Sequence, residues 1–278
     1  MSNVFRGIIG RTVPNLVAYG QIFAILKGIR MANEFYSPGE QRAAKVNELF
    51  ARIAPRYDFI NDVQSLGLHR RWKRRLISLT TVRPGERALD LCCGTGDLAF
   101  ALAEAGARVT GVDFNEEMLR VAVQRSQCLP VHAKQIQAVK PQVEFIRGDA
   151  QKIPFSADTF DIITIGYGLR NLADLNAGIH EMLRVTKPGG RLLALEFGKP
   201  DNPLWRTIYF TYLRAFLPLF GKIFCGNAAA YGYILESLKH YPAQDGVCAI
   251  MRSCGWQNVR VINLLAGVMS IHWAEKGK

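Results

Sequence analysis

The sequence predicts an α/β domain in which a parallel sheet is covered by helices on both faces and preceded by a helical cap. Three observations carry that prediction. From Pro84-Gly85 onward, short apolar runs alternate with amphipathic stretches of helical period, as in a parallel sheet crossed by helices. The first such run leads directly into a glycine loop, Gly94-Thr95-Gly96, and then into a helix. The chain closes on two strand-like segments flanking Leu265-Ala266-Gly267, which reads as an antiparallel hairpin at a sheet edge.

Taken in order, residues 1–39 form an N-terminal extension, either a membrane-associated helix or a partly disordered arm. Within it, LVAYGQIFAIL (16–26) follows Arg6 and Arg11 like a signal-peptide core, but a charged stretch without a small-residue cleavage site comes next. Leu16, Tyr19, Phe23 and Leu26 share one helical face, which suits a helix lying on a membrane, and Met31 is an alternative start. Residues 40–278 form the main domain, with a helical cap over 40–83 that begins with a helix from Ala43 to Ile53. The expected strands are Arg87–Cys92, Arg108–Asp113, Val143–Arg147, Phe160–Gly166 and Arg191–Phe197. Helices Leu98–Glu104, Glu116–Gln127 and Leu175–Val185 lie between them, and the hairpin pairs Asn258–Leu264 with Val268–Ala274.

Composition bounds the function. The 278 residues are 49% apolar and 21% charged, the profile of a folded globular chain with a sizeable core. No apolar run reaches the roughly 18–20 residues of a bilayer-spanning helix, which excludes a polytopic membrane protein. Of a net charge of +12, the first 87 residues hold 15 Lys and Arg against 6 Asp and Glu, and the rest is nearly neutral. A nucleic-acid binder would spread its charge over a working face. A basic front end fits an anionic membrane surface, or solubility alone. The six cysteines form no C-x-x-C pair, and neither they nor the scattered histidines have metal-ligand spacing. Cys92 and Cys93, adjacent in a strand, should face opposite sides as small packed hydrophobes.

The glycine loop is the first functional signal. Gly94-x-Gly96-x-x-Ala99 fits a dinucleotide fingerprint, and Asp113 follows where a ribose-binding acid belongs. By itself this permits an NAD-dependent oxidoreductase. Asp90 at the end of the first strand argues otherwise, since an acid there repels pyrophosphate but favours a sulfonium and an amino group. Asp149-Ala150, after the third strand, could hold an adenine amino group. Asp90, Gly94, Thr95, Gly96, Asp113, Asp149 and Ala150 thus converge at the carboxyl ends of successive strands, where open α/β sheets bind ligands.

That constellation resembles the class I S-adenosyl-L-methionine-dependent methyltransferases, with a Rossmann-like seven-stranded sheet ending in an antiparallel hairpin. Longer segments are similar to the ubiquinone/menaquinone biosynthesis C-methyltransferases: RYDFINDVQSLGLHRRW (Arg56–Trp72), RVTKPGGRLLALEFGKP (Arg184–Pro200), IGYGLRNLAD, YGYILESLKHYP and GVMSIHWAEK. The resemblance covers residues 40–275. It implies S-adenosyl-L-methionine as cofactor, no metal, and methylation of a ring carbon of a polyprenylated hydroquinone. It also implies a cytoplasmic enzyme held peripherally on the inner membrane, and leaves a homodimer or a quinone-biosynthesis complex open as its assembly.

Ring-carbon methylation needs the neighbouring hydroxyl to lose its proton. By resemblance, Tyr57, Arg170 and Asn171 belong with Asp113 to a network that orders a water as acceptor. His69, which titrates near neutrality, is a second base. Plainer readings stand beside these: Arg170 as a surface partner of Asp174, and Tyr57 and His69 as caps on the cofactor site. The prenyl tail needs an apolar route, and residues 203–224 supply Trp205, Tyr209, Tyr212 and Phe216 on one helical face, with Pro218 interrupting the helix afterward. The same stripe could equally be core, and Arg206, Arg214 and Lys222 suit a membrane surface. One departure matters: Gly166-Tyr167-Gly168 stands where many ubiquinone-pathway members have Ser-Phe-Gly, so Gly166 offers backbone alone. That loop and the Cys-Cys pair lean toward demethylmenaquinol over 2-methoxy-6-polyprenyl-1,4-benzoquinol. A catalytically silent scaffold in a quinone-synthesis complex is the remaining alternative.

Overall fold

The computed structural model describes residues 40–128, 143–225 and 229–278. The expected extension, with its Leu16–Leu26 helix and Met31, lies outside the described residues.

Three helices form the cap: α1 (Glu40–Ile53), α2 (Tyr57–Ser65) and α3 (Leu68–Thr80). Leu66 and Gly67, both left-handed (φ 51° and 75°), make the corner between α2 and α3. The domain then runs β1 (Arg87–Leu91), α4 (Asp97–Glu104), β2 (Arg108–Asp113), α5 (Glu116–Cys128), β3 (Val143–Arg147), β4 (Phe160–Gly166), α6 (Leu175–Val185) and β5 (Thr186–Phe197). After these come α7 (Pro203–Cys225), α8 (Ala229–His240), α9 (Ala243–Ser253), β6 (Trp256–Leu264) and β7 (Met269–Lys276).

The seven strands are ordered β3-β2-β1-β4-β5-β7-β6. β1 to β5 are parallel, and β7 runs antiparallel between β5 and β6, so the expected sheet and terminal hairpin are both present. Helices cover both faces, which is why Ala88, Leu89, Asp90 and Leu91 are all buried along β1. One core lies under the cap, α4, α7 and α8; the other lies under α6 and α9. Chain order reverses between β1 and β4, which opens a crevice beyond their carboxyl ends.

Local chemistry fixes the helix starts that border this crevice. Asp174 Oδ1 accepts from Ala177 N at the head of α6 (3.0 Å), and Asn115 Oδ1 accepts from Met118 N at the head of α5 (3.0 Å). Three expectations are corrected. β1 ends at Leu91, so Cys92 lies beyond the strand with φ 51°, and the Cys92–Cys93 pair does not alternate across a sheet. β5 starts five residues earlier than expected, at Thr186, with a register shift between Phe160 and Ile162 on its neighbour β4. Pro218 does not interrupt α7, which continues to Cys225. A proline forfeits one backbone hydrogen bond there, but the buried side chains of Leu213 and Leu217 keep the helix seated. No helix among the described residues is long and apolar enough to cross a membrane.

His272 on β7 is fully buried, its Nε2 3.2 Å from Gln244 O, and burial pushes its pKa down to about 4 from the ordinary 6.5. The ring is therefore neutral in the fold. Its contribution is complete above pH 6.5 and is lost as pH falls toward 4, where the unfolded chain binds a proton that the native site refuses. Comparing the parent with His272→Asn by urea denaturation, the parent should lose roughly 3 kcal/mol more than the variant over that range. Parallel pH profiles would show that His272 does not titrate on unfolding.

Candidate active site

The loop after β1 carries the site. Gly94 (φ 54°) and Gly96 (φ 90°) turn the chain from strand to helix, and at Gly96 a Cβ would meet Phe100 and Phe145 within 2.9 Å. Asp113, at the end of β2, accepts from Gly94 N through Oδ2 and from Asn115 N through Oδ1, both at 2.8 Å. Burial nonetheless raises its pKa. Asp149 accepts from Gln151 N at 2.8 Å. Gly166 ends β4 with Leu98 so close that a Cβ there would lie 2.8 Å from Cδ1.

These elements enclose a cavity of about 160 Å³, lined among others by Gly94, Asp113, Asp149, Ala150, Gly166 and Asn171. Among the described residues no lysine, arginine or histidine lines it, so the charged groups they contribute are carboxylates alone. Asp90 and Thr95 sit behind the wall. Asp90 Oδ1 accepts from Thr164 Oγ1 at 2.7 Å, while its buried Oδ2 has no hydrogen-bond partner among the described residues. Burial pushes Asp90 up to about 7. Thr95 Oγ1 donates to Asp58 Oδ1 at 2.8 Å.

A second, larger cavity of about 410 Å³ lies between the cap, the end of β5 and α7. Its wall is mostly apolar, with Ile53, Trp72, Phe197, Trp205, Tyr209 and Leu213 among its residues. Phe50, Tyr57 and Tyr167 line both cavities and form their common wall. Burial pushes the Tyr57 phenol up to about 12. The Asn61 amide beside it tempers the rise, although Asn61 Nδ2 makes no hydrogen bond of normal geometry. Leu66, Ile208, Tyr212 and Leu265 also line this cavity yet are exposed, so they form its mouth.

Arg170 and His69 belong to the second cavity, not the first. Arg170 is buried and does not pair with Asp174, which caps α6. Its Nη1 donates to Glu196 Oε1 (2.6 Å) and to Tyr167 O (2.8 Å). Glu196 Oε2 accepts from Arg170 N (3.2 Å) and Oε1 from Phe197 N (2.9 Å). His69 is 3% exposed, and its Nδ1 lies 2.8 Å from Ser65 Oγ. Trp205, Tyr209 and Tyr212 reach the cavity, whereas Phe216 is exposed and stacks on Tyr212.

Several polar residues here were not expected. Glu196 lay unremarked inside the segment 184–200. Asp58, Asp97, Lys73 and Arg125 form a web behind the glycine loop: Arg125 bonds Asp58, Thr95 O and Asp97, and Lys73 bonds Asp97. Burial would raise Asp97, but Lys73 and Arg125 hold it at about 2. Asn61 Nδ2, Gln64 Nε2, Tyr167 OH and Tyr209 OH are buried, line the larger cavity and have no hydrogen-bond partner among the described residues. Each such group costs about 1–3 kcal/mol unless a ligand or water satisfies it. Tyr167 and Tyr209 were marked in the sequence by the Gly-Tyr-Gly loop and the aromatic stripe, whereas Asn61 and Gln64 were signalled only by proximity to Tyr57.

Residues 39–276 match the ubiE/COQ5 methyltransferase family. The chain belongs to that family. It is 42% identical over 238 residues to the ubiquinone/menaquinone biosynthesis C-methyltransferase UbiE of Ectopseudomonas mendocina, covering 84% of this chain and 90% of that one. It is 39% identical over 237 residues to the demethylmenaquinone methyltransferase of Paenarthrobacter aurescens, covering 85% and 88%. A SAM-dependent methyltransferase from Aquifex aeolicus shares the fold, with a TM-score of 0.51 at 18% identity over 73% of this chain and 88% of that one. So does the Haemonchus contortus phosphoethanolamine N-methyltransferase 2 in complex with S-adenosyl-L-methionine, at 0.56 and 16% over 75% and 53%. This member of the ubiE/COQ5 family is thus an S-adenosyl-L-methionine-dependent methyltransferase. Its smaller cavity suits that cofactor: among the described residues its lining holds carboxylates and no cation, which matches a sulfonium donor and would repel a pyrophosphate, and Asp90 Oδ2, behind the wall, has no hydrogen-bond partner among them.

Because the Arg170–Glu196 pair is wholly buried, Glu196→Ala should destabilise the enzyme by about 3–5 kcal/mol by removing the carboxylate that balances the buried guanidinium charge. Chemical denaturation would measure it. A loss under about 1 kcal/mol would mean that other acceptors already neutralise Arg170.

Proposed function

We propose that the protein methylates a ring carbon of a prenylated hydroquinone, with demethylmenaquinol as the substrate and 2-methoxy-6-polyprenyl-1,4-benzoquinol as the alternative. The observation that carries this reading is the pair of abutting cavities. One is small and anionic, one large and apolar, and they share the wall of Phe50, Tyr57 and Tyr167. A soluble acceptor would not need some 410 Å³ of aromatic and aliphatic lining opening at an apolar mouth. Curated relatives named for both quinone pathways support the substrate class.

Bound in the smaller cavity, S-adenosyl-L-methionine supplies an electrophilic methyl group. Asp113 accepts from the ribose hydroxyls, and Asp149 and Ala150 hold the adenine edge. The Gly94–Gly96 loop and Gly166 offer backbone at close range, Thr95 braces the loop from behind, and Asp90 answers the positive charge. Tyr57 in the shared wall, Arg170 on the side of the larger cavity and Asn171 on the side of the smaller order the acceptor ring. Glu196 already neutralises Arg170, so the arginine acts by directing N–H groups at a developing phenolate oxygen more than by net charge. Tyr57, held un-ionised by its raised pKa, is a donor at neutral pH. Much of the rate then comes from holding ring carbon and methyl in line.

The tail leaves through the mouth onto a membrane surface, which we place against Leu66, Ile208, Tyr212 and Leu265. Leu66 is 88% exposed at the α2–α3 corner, and exposed Arg71, Arg74 and Arg75 follow on α3, with Arg214 and Lys222 on α7. Apolar tips beside cations suit an anionic lipid face.

The deciding assay is methyl transfer from labelled S-adenosyl-L-methionine to reduced demethylmenaquinol and to the demethylated methoxy-benzoquinol, side by side in detergent. Turnover of the first above the second is expected, and in Asp113→Ala cofactor affinity should fall at least tenfold by calorimetry, with two hydrogen bonds of about 1.5–3 kcal/mol each removed. Tight cofactor binding with neither quinol methylated would leave the scaffold reading. For the membrane face, Leu66→Glu should weaken sedimentation with anionic vesicles while sparing turnover of a tail-less quinol. Unchanged sedimentation would move the contact elsewhere.

A further inference from the structure

Within the larger cavity, the cap helices hold a polar cluster that the cofactor side does not use. Asn61 and Gln64 stand three residues apart on α2, so they share a face, and the donors Asn61 Nδ2 and Gln64 Nε2 are buried without partners among the described residues. His69, at the start of α3, lines the same cavity. Its tautomer follows from hydrogen-bond counting. The single hydroxyl proton of Ser65 goes to Asn61 O at 2.6 Å, and Ser65 Oγ accepts from His69 N at 3.2 Å. With that proton spent, the 2.8 Å contact between Ser65 Oγ and His69 Nδ1 requires Nδ1 to carry the hydrogen. Nε2 is then the ring's lone-pair nitrogen.

We propose that Asn61, Gln64 and His69 form the station for one hydroxyl of the quinol, the two amides donating to its oxygen and His69 Nε2 accepting its proton. This rests on the quinol reading above and names the base within it. A hydroxyl is at once donor and acceptor, and this cluster supplies its complement, two N–H donors and one lone pair, on the cap side of a mostly apolar wall. The step balances. The quinol O–H proton passes to Nε2 and its electron pair enters the ring. The ring carbon forms its bond to the methyl group while the bond to sulfur breaks, its pair remaining on sulfur. The methylated carbon then gives up its hydrogen as a proton and the phenolate oxygen regains one, so that one proton in all is released. Ser65 is a positioning residue, since it fixes the tautomer without meeting the substrate.

The surroundings keep His69 neutral at physiological pH. Burial lowers its pKa, and Lys73 and Arg70 on its own helix act in the same direction. Asp62 on α2, 3.7 Å from Nδ1, and Asp97 on α4 oppose them and would stabilise the imidazolium once formed. Asp62 is itself clamped by Arg70 through bonds of 2.7 and 2.6 Å.

The test uses the full-length enzyme, labelled S-adenosyl-L-methionine and reduced short-chain demethylmenaquinol across pH 5–9. In the parent, kcat/KM should fall on the acid side as His69 takes up a proton. His69→Gln should lower kcat at least 100-fold, abolish that acid limb, and leave cofactor affinity by calorimetry within twofold, which also reports folding. Ser65→Ala should lower kcat about tenfold while keeping the acid limb displaced, and Gln64→Leu should raise KM more than it lowers kcat. Added imidazole should partly restore a His69→Gly variant. A parent that turns over while His69→Gln keeps both its rate and its acid limb overturns this inference and spares the quinol reading. A parent that binds cofactor and methylates neither quinol overturns both.

Discussion

The site depends on the fastening of the cap to the glycine loop. Arg125, reaching from α5, bonds Asp58 of the cap, the backbone of Thr95 and Asp97 at the head of α4; Lys73 of the cap bonds the other oxygen of Asp97. Asp97 remains ionised at about pKa 2 because two cations outweigh its burial. Isolated surface pairs contribute little. Here three elements converge on two carboxylates, so each side chain ordered by one bond is already in place for the next. The web holds Tyr57, one residue before Asp58, against the loop, and Tyr57 is part of the wall between the cavities.

That wall separates two solvents. On one side the charged groups are carboxylates, which favour a positively charged donor; on the other, aromatic and aliphatic side chains favour a lipid tail. On the proposed reading a methyl group crosses between them over a single bond length, which calls for a thin partition. On the side of the smaller cavity the packing admits no side chain at two positions: a Cβ at Gly166 would lie 2.8 Å from Leu98 Cδ1, and one at Gly168 2.7 Å from Cys92 Cβ. Cys92 and Tyr167 accept left-handed backbone at φ 51° and 60° in the same layer. Such conformations cost about 1–3 kcal/mol and persist where surrounding structure holds them.

The buried Arg170–Glu196 pair changes the character of the arginine. A lone arginine in an apolar cavity would act as a free positive charge. Joined to a carboxylate 2.6 Å away, it becomes a rigid, nearly neutral array of donors. The partner comes from the end of β5 and the arginine from the turn after β4, neighbouring strands whose pairing sets the two side by side.

Local pattern and short-range spacing were enough for the sheet, its closing hairpin, the glycine loop and the acids at the strand ends. Alternation of apolar runs and the reach of a strand–turn–helix unit involve residues near one another in the chain, so they are written in it directly. The cap web, the Glu196 partner, the division of Arg170 and His69 from the smaller cavity and the passage of α7 through Pro218 were not legible there. Each joins groups far apart in sequence or depends on burial: Lys73 with Asp97, Asp58 with Arg125, Leu217 against the core. Charge pairing is promiscuous along a chain, and only packing selects which Asp meets which Arg. The sequence by itself determined the fold and the cofactor class. The tertiary structure decided which side chains share a cavity, because burial and long-range contact are properties of the folded chain alone.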